Sequence, residues 1–166
     1  MSPRHSIVWH TGLLYKLKTI LPSPYYLLLK FYLHIRFFRI KYNCSYSTCH
    51  EVLSGVPQGS VLGSLLYLIF TADLPTTEHT STATFADDTG LIAIHSDPII
   101  ASQYLQLHLD ILHAWFDNWK IKINQAKSSH VTFTTTRSAC PQVTMNNVPI
   151  PIRSTVKYLG LYLDQD

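Results

Sequence analysis

The sequence predicts an α+β fold, with helices grouped against a mostly antiparallel sheet. Three observations lead there. Apolar residues recur at helical spacing in four separate stretches. Short apolar runs flank turn residues near positions 82–94 and again near 143–163. Nothing repeats, and no Pro/Gly/Ser-rich linker cuts the 166 residues in two.

Taken in order, residues 11–20 read as a helix closed by Pro22 and Pro24. A second helix is expected from Pro24, acceptable in a first turn, to Phe38. Residues 41–50 are polar and turn-like, and a short extended stretch follows at 51–53. Gly55, Pro57 and Gly59 enforce a loop, and Ser60 stands ready to cap a helix over 61–72. Residues 82–86 read as a strand, 87–90 as a turn and 91–94 as the returning strand. Asp97 and Pro98 open the longest helix, whose spacing of Ile100, Tyr104, Leu107, Ile111, Ala114 and Trp115 runs to Trp119. Trp115 and Trp119 fall on its core face. A strand near 130–135 and a pair around 143–152 and 156–163 complete the chain.

Composition narrows the class. Hydrophobic residues make up 46%, enough for a core, whereas only 14% are charged against about 25% in an average soluble domain. Such poverty in charge suits a piece that leans on something else, or a chain no longer well suited to standing alone. The greasiest stretch, residues 61–74, spans 14 residues and falls short of the roughly 20 a membrane helix needs, so no membrane partner is expected. Three cysteines, Cys44, Cys49 and Cys140, form no disulfide framework and favour a reducing, intracellular setting, nucleus or cytoplasm. Cys44, Cys49 and His50 lack the second ligand pair that a zinc site requires.

The net charge of +3 conceals a segregation. Residues 1–60 carry seven bases and one acid, 61–110 carry six acids and no base, and 111–166 return to +3. An acidic middle between basic flanks suits a metal site beside a phosphate-bearing ligand, although chance gives the same pattern.

Two local features carry chemistry. Asp87 and Asp88 place adjacent carboxylates at the tip of an apolar hairpin, where they repel unless a cation compensates. Such oxygen sites suit Mg2+, which keeps waters and binds substrate phosphates. On a strand the two side chains diverge, so one is the principal ligand; equally, Asp-Asp-Thr-Gly makes a good turn with no ligand at all. The second feature is Gly55-Val56-Pro57-Gln58-Gly59-Ser60. Its glycines admit close backbone approach, Gln58 offers a donor and an acceptor, and the helix behind presents free N–H groups. It is no Walker loop, because no Lys-Ser/Thr follows, and by itself it also serves as a plain loop-to-helix junction.

These two features, in this order and at this separation, resemble the reverse transcriptases of non-long-terminal-repeat retrotransposons, particularly the jockey-like group. The resemblance rests on residues 55–67 and on Phe85-Ala86-Asp87-Asp88. It continues in residues 8–17, similar to the segment after the family's first catalytic motif, and in Tyr32-Leu33-His34-Ile35-Arg36, similar to its Tyr-Leu-x-x-Arg segment. Residues 119–124 with Lys127 and Ser128 resemble its fourth palm motif, and Lys157-Tyr158-Leu159-Gly160 the turn from palm to thumb. The resemblance implies a palm-like fold that lacks its N-terminal strand, with fingers and palm helices over 1–54, a palm core over 55–135 and a palm-to-thumb hairpin over 136–166.

It further implies an RNA-directed DNA polymerase that uses an RNA template, a DNA primer and deoxynucleoside triphosphates. Asp87 and Asp88 would hold Mg2+, or Mn2+ in its place, with Asp87 the stronger ligand. Gly55, Pro57, Gln58, Gly59 and Ser60 would shape the nucleotide and template pocket, Lys127 would lie near the triphosphate or the leaving pyrophosphate, and Arg36 would contact template or stabilise the fingers-side segment. One departure weighs heavily. The family's third carboxylate, usually in Phe-Asp-x-Val-Trp-His, aligns with Ser6, so impaired catalysis is expected unless an upstream segment supplies the aspartate. Ser64, where relatives commonly carry proline, is a mild change. The rival expectation is an inert nucleic-acid-binding or scaffold remnant.

Overall fold

A computed structural model describes residues 9–52, 55–56, 60–86, 88–134 and 140–165. The chain divides into two compact units, Met1–Asp73 with Trp119–Ile121, and Leu74–Asn118 with Lys122–Asp166. Helices accompany several short antiparallel sheets, the mixed architecture that the sequence predicts. No described helix is long and apolar enough to cross a membrane.

In the first unit, α1 (His10–Ile20), α2 (Ser23–Leu33) and α3 (Val61–Thr71) enclose a core of Leu13, Leu17, Leu33, Leu66 and Phe70. α1 ends where the Leu21 N–H reaches the Leu17 carbonyl at 2.9 Å, just before Pro22. α2 starts as expected but ends five residues earlier than Phe38. Ile35 takes φ 47, a left-handed turn, and the apolar run continues as β1 (Phe37–Phe38) instead of as helix. β1 pairs with β4 (His50–Glu51), and β2 (Lys41–Tyr42) pairs with β3 (Ser45–Tyr46). The Ser60 side chain caps α3, accepting the Gly63 N–H at 3.0 Å, which satisfies one orphan donor of the first turn.

Lys16 is a buried cation in this core. Its Nζ donates to the Phe70 carbonyl, pairs with the Asp73 carboxylate, and lies 3.7 Å from the Trp119 ring centroid. Burial pulls its pKa below the usual lysine value, and the hydrogen bond and charge of Asp73 oppose that shift. Trp119 therefore stands beyond the long helix, with its ring set edge-on to Phe70 at 5.8 Å, and does not share a helical face with Trp115.

In the second unit, β5 (Thr80–Phe85) and β6 (Asp88–Ala93) make a two-stranded hairpin. α4 (Pro98–Asn118) begins where the Asp97 carboxylate accepts the Ile99 N–H at 2.8 Å, with Pro98 in the first turn as expected. Leu109 joins Val143, Met145 and Ile150 in the unit's core, with Leu91, Leu105 and Ile123 against them. His108, fully buried on α4, bridges two points of the chain before and at the hairpin: its ring nitrogens meet Thr80 Oγ1 and, at 3.0 Å, the Pro75 carbonyl.

The terminal segment resolves into two hairpins instead of one long strand pair. β7 (Thr144–Met145) turns into β8 (Val148–Pro149) through Asn146 and Asn147 at φ 53 and 59. β9 (Thr155–Tyr158) turns into β10 (Leu161–Asp164) through Leu159 and Gly160 at φ 51 and 87. Both use two left-handed residues, the geometry that matches strand twist. The strand expected near 130–135 reduces, among its described residues, to one parallel bridge between His130 and Ile152.

Candidate catalytic hairpin and loop

The β5–β6 register pairs Phe85 with Asp88, Thr84 with Thr89 and Ala83 with Gly90. The chain therefore reverses between Phe85 and Asp88, with Ala86 at its start, and not over the 87–90 turn read from sequence. Gly90 suggested a turn, yet it lies within β6, and Ala86 supplies the left-handed bend at φ 51. The consequence for the site is direct: Asp88 is a strand residue fixed by the ladder, at the tip, with an exposed side chain.

Tyr158 of β9 secures the hairpin on one side. Its hydroxyl donates to the Ala83 carbonyl at 3.3 Å, and its ring lies 3.8 Å from where a Cβ on Gly90 would stand. Thr80 ties the base of β5 to His108 of α4. The carboxylate-bearing tip is thus the far end of a ribbon held at its root and along its length.

Lys127 closes a single 3-10 turn, Gln125–Lys127, whose end is set by the Lys127 N–H on the Asn124 carbonyl at 3.1 Å. Its side chain is exposed. Asp88 and Lys127 both belong to the second unit.

In the first unit the structure joins two of the expected residues through a third. The Tyr32 hydroxyl lies 3.3 Å from Ser60 Oγ, and its ring centroid is 5.7 Å from the Arg36 guanidinium. Tyr32 is not among the expected site residues, although the Tyr-Leu-x-x-Arg segment carries it four residues before Arg36. Gly55 takes φ 89, a value that favours glycine, and its carbonyl accepts from His10 Nε2 at 2.7 Å. His10 therefore braces the start of the loop. Asp87, Pro57, Gln58, Gly59 and Ser6 lie outside the described residues.

The donor chemistry suits a hard cation in kind. Asp88 offers an exposed carboxylate, and Mg2+ binds through one or two carboxylates completed by phosphate and water. Among the described residues no cluster of three His, Cys, Asp or Glu side chains could hold a metal ion. Among the described residues the tip thus offers one exposed carboxylate and no closed cage.

Comparison with known proteins bears on this arrangement. A family model described as "Reverse transcriptase (RNA-dependent DNA polymerase)" matches residues 5–163. The chain is 39% identical over 166 residues to the RNA-directed DNA polymerase from mobile element jockey of Drosophila melanogaster, covering 95% of this chain and 18% of that protein. It is 40% identical, again over 95% of this chain and 18% of each relative, to the probable RNA-directed DNA polymerases from transposon X-element and transposon BS of the same fly. The chain therefore spans less than a fifth of the length of these relatives. No solved structure matches it. With the hairpin, the capped loop and the terminal turn in the expected order, and the match running almost end to end, the chain belongs to the reverse transcriptase family, among the jockey-like domains of non-long-terminal-repeat retrotransposons.

Proposed function

We propose that this chain is the palm of an RNA-directed DNA polymerase whose metal site it supplies only in part. The observation that carries the reading is the Phe85–Asp88 pairing, which sets an exposed carboxylate at the tip of a braced hairpin in a chain matched by the family over residues 5–163. Asp87 and Asp88 would hold Mg2+, or Mn2+, with Asp87 the stronger ligand; a metal held there would supply Lewis-acid activation of a primer 3′-hydroxyl toward the α-phosphate of a deoxynucleoside triphosphate and charge stabilisation for the departing pyrophosphate. Gly55, Pro57, Gln58, Gly59 and Ser60 shape the pocket for nucleotide and template. Lys127 neutralises triphosphate charge, and Arg36, steadied by Tyr32, contacts the template. The working site is intracellular, in nucleus or cytoplasm, wherever template is met.

Aligned on Val8-Trp9-His10, the sequence carries Ser6 where the family's third carboxylate is expected. A hydroxyl is neutral and cannot bridge two cations, so the chain alone turns over poorly. An aspartate from another segment would complete it. The same serine favours a second reading, a nucleic-acid-binding remnant without turnover.

Primer extension on an RNA template with Mg2+ or Mn2+ separates these. The parent chain is expected to incorporate little, Ser6→Asp to raise incorporation, and Asp87→Ala or Asp88→Asn in that background to abolish the gain while sparing template binding. Robust incorporation by the parent would overturn the role given to Ser6. Template binding with no gain from Ser6→Asp would favour the second reading.

A further inference from the structure

Helix α2 is apolar on both sides. Tyr26, Leu29 and Leu33 pack into the first unit's core. Pro24, Leu27, Leu28 and Phe31 recur at i, i+3, i+4 and i+7 and make a second stripe on the opposite side. Of these, Leu27, Leu28 and Phe31 are 57%, 67% and 85% exposed. A helix that is apolar all round belongs inside a larger core. Three large side chains on one exposed stripe form a contiguous patch, unlike the scattered singles of an ordinary surface.

The borders of the stripe are polar. Lys30, three residues after Leu27, edges one side, and Tyr25, three residues before Leu28, edges the other. Both are exposed, as is Lys18 in the last turn of α1. Residues 10–50 contain no Asp or Glu. The patch therefore combines an apolar centre with a cationic rim that neither α1 nor α2 can neutralise.

We infer that the outer face of α2 docks an amphipathic helix of a partner protein whose apolar stripe is edged by carboxylates. Charge complementarity selects this occupant. A second copy of α1 and α2 would cover the leucines but bring further lysines and no carboxylate. An acid-edged helix covers Leu27, Leu28 and Phe31 and answers Lys30 in the same contact. The 11 residues of α2 run about 16 Å, so the partner needs about three turns, with anchors at i, i+3 or i+4, and i+7.

Fluorescence anisotropy against the full chain tests this, with a labelled peptide of about 18 residues that carries leucines at this spacing and glutamates along both rims. The peptide should bind with a Kd below about 100 μM. Phe31→Glu changes a side chain already in water, so it should leave the fold intact and weaken binding at least about tenfold. Ile94→Glu, at an equally exposed apolar residue of the second unit, should change it less than about twofold. Lys30→Glu should weaken the acidic peptide at least about threefold and strengthen, by a similar factor, a peptide with lysines in place of the glutamates. No binding, parent-like binding by Phe31→Glu, or equal binding of the two peptides to the parent chain overturns the proposal. So does a dimer in sedimentation that Phe31→Glu dissolves, which would assign the face to a second copy. Phe31-dependent binding to phosphatidylserine vesicles without binding of the peptide would overturn it in favour of a membrane surface.

Discussion

The Tyr158 hydroxyl reaches the Ala83 carbonyl at 3.3 Å while its ring covers Gly90, so a residue from the terminal hairpin braces the carboxylate-bearing one. Removing only the hydroxyl, Tyr158→Phe, should cost about 0.5–1 kcal/mol in denaturant unfolding, the usual net value of one hydrogen bond. Tyr158→Ala should cost more, because the ring contact with the hairpin goes too.

Gly90 and Gly12 should respond oppositely to alanine. A Cβ at Gly90 meets the Tyr158 ring at 3.8 Å, an ordinary contact, and a strand glycine is entropically unfavourable, so Gly90→Ala should be neutral or stabilise by about 0.5 kcal/mol. At Gly12 the same atom would stand 2.6 Å from the Trp9 ring and 3.2 Å from Trp119. Gly12→Ala should destabilise by about 1–3 kcal/mol. Thermal unfolding of the two variants makes the comparison.

Ala86 bends the hairpin at φ 51, a conformation that costs an L-residue about 1–2 kcal/mol. Ala86→Gly should stabilise the chain by about 0.5–1 kcal/mol, and slower amide exchange along β5 and β6 would register it. Faster exchange there would refute the assigned turn.

Lys16 sets an alkaline dependence. Burial lowers its pKa in the folded chain below 10.5, so between the lowered value and 10.5 the unfolded chain binds more protons than the folded one. Stability therefore gains from this group as pH rises through that window. Unfolding titrations of parent and Lys16→Met across pH 8–10.5 should differ in slope, with the parent's the more positive.

His130 sets an acid dependence by the same logic. It is buried, its Nδ1 has no hydrogen-bond partner among the described residues, and burial lowers its pKa below 6.5. As pH falls below about 6.5 the unfolded chain takes up a proton that the folded chain resists, and stability is lost by up to about 1.4 kcal/mol per pH unit. His130→Leu should abolish that part of the slope.

Much of this was legible from residue order. Ser60, Asp97 and Pro98 marked helix starts that the structure keeps, because capping is a local chemistry of one or two side chains. Ends were harder. The apolar run from Tyr25 to Ile40 looked like one helix, yet the same greasy residues serve α2 and then β1, and short apolar runs do not distinguish the two. Gly90 misled as a turn signal because the tight reversal used Ala86, a residue with no turn preference. Lys16 could have been found: it falls three residues after Leu13 and next to Leu17 on the buried stripe of α1, where a charge needs a partner. That partner, Asp73, is distant in sequence and announced by no motif.

The turns at Asn43, Ala86, Asn146–Asn147 and Leu159–Gly160 have a shared outcome for how the chain assembles. Each closes a pair of strands over two residues, so most sheet pairing forms within microseconds and without long loops to close. A slipped register in one ribbon therefore stays confined to that ribbon. What must be found slowly is the handful of distant side-chain meetings, Lys16 with Asp73, Thr80 with His108 and Tyr158 with Ala83, and errors of assembly should concentrate there.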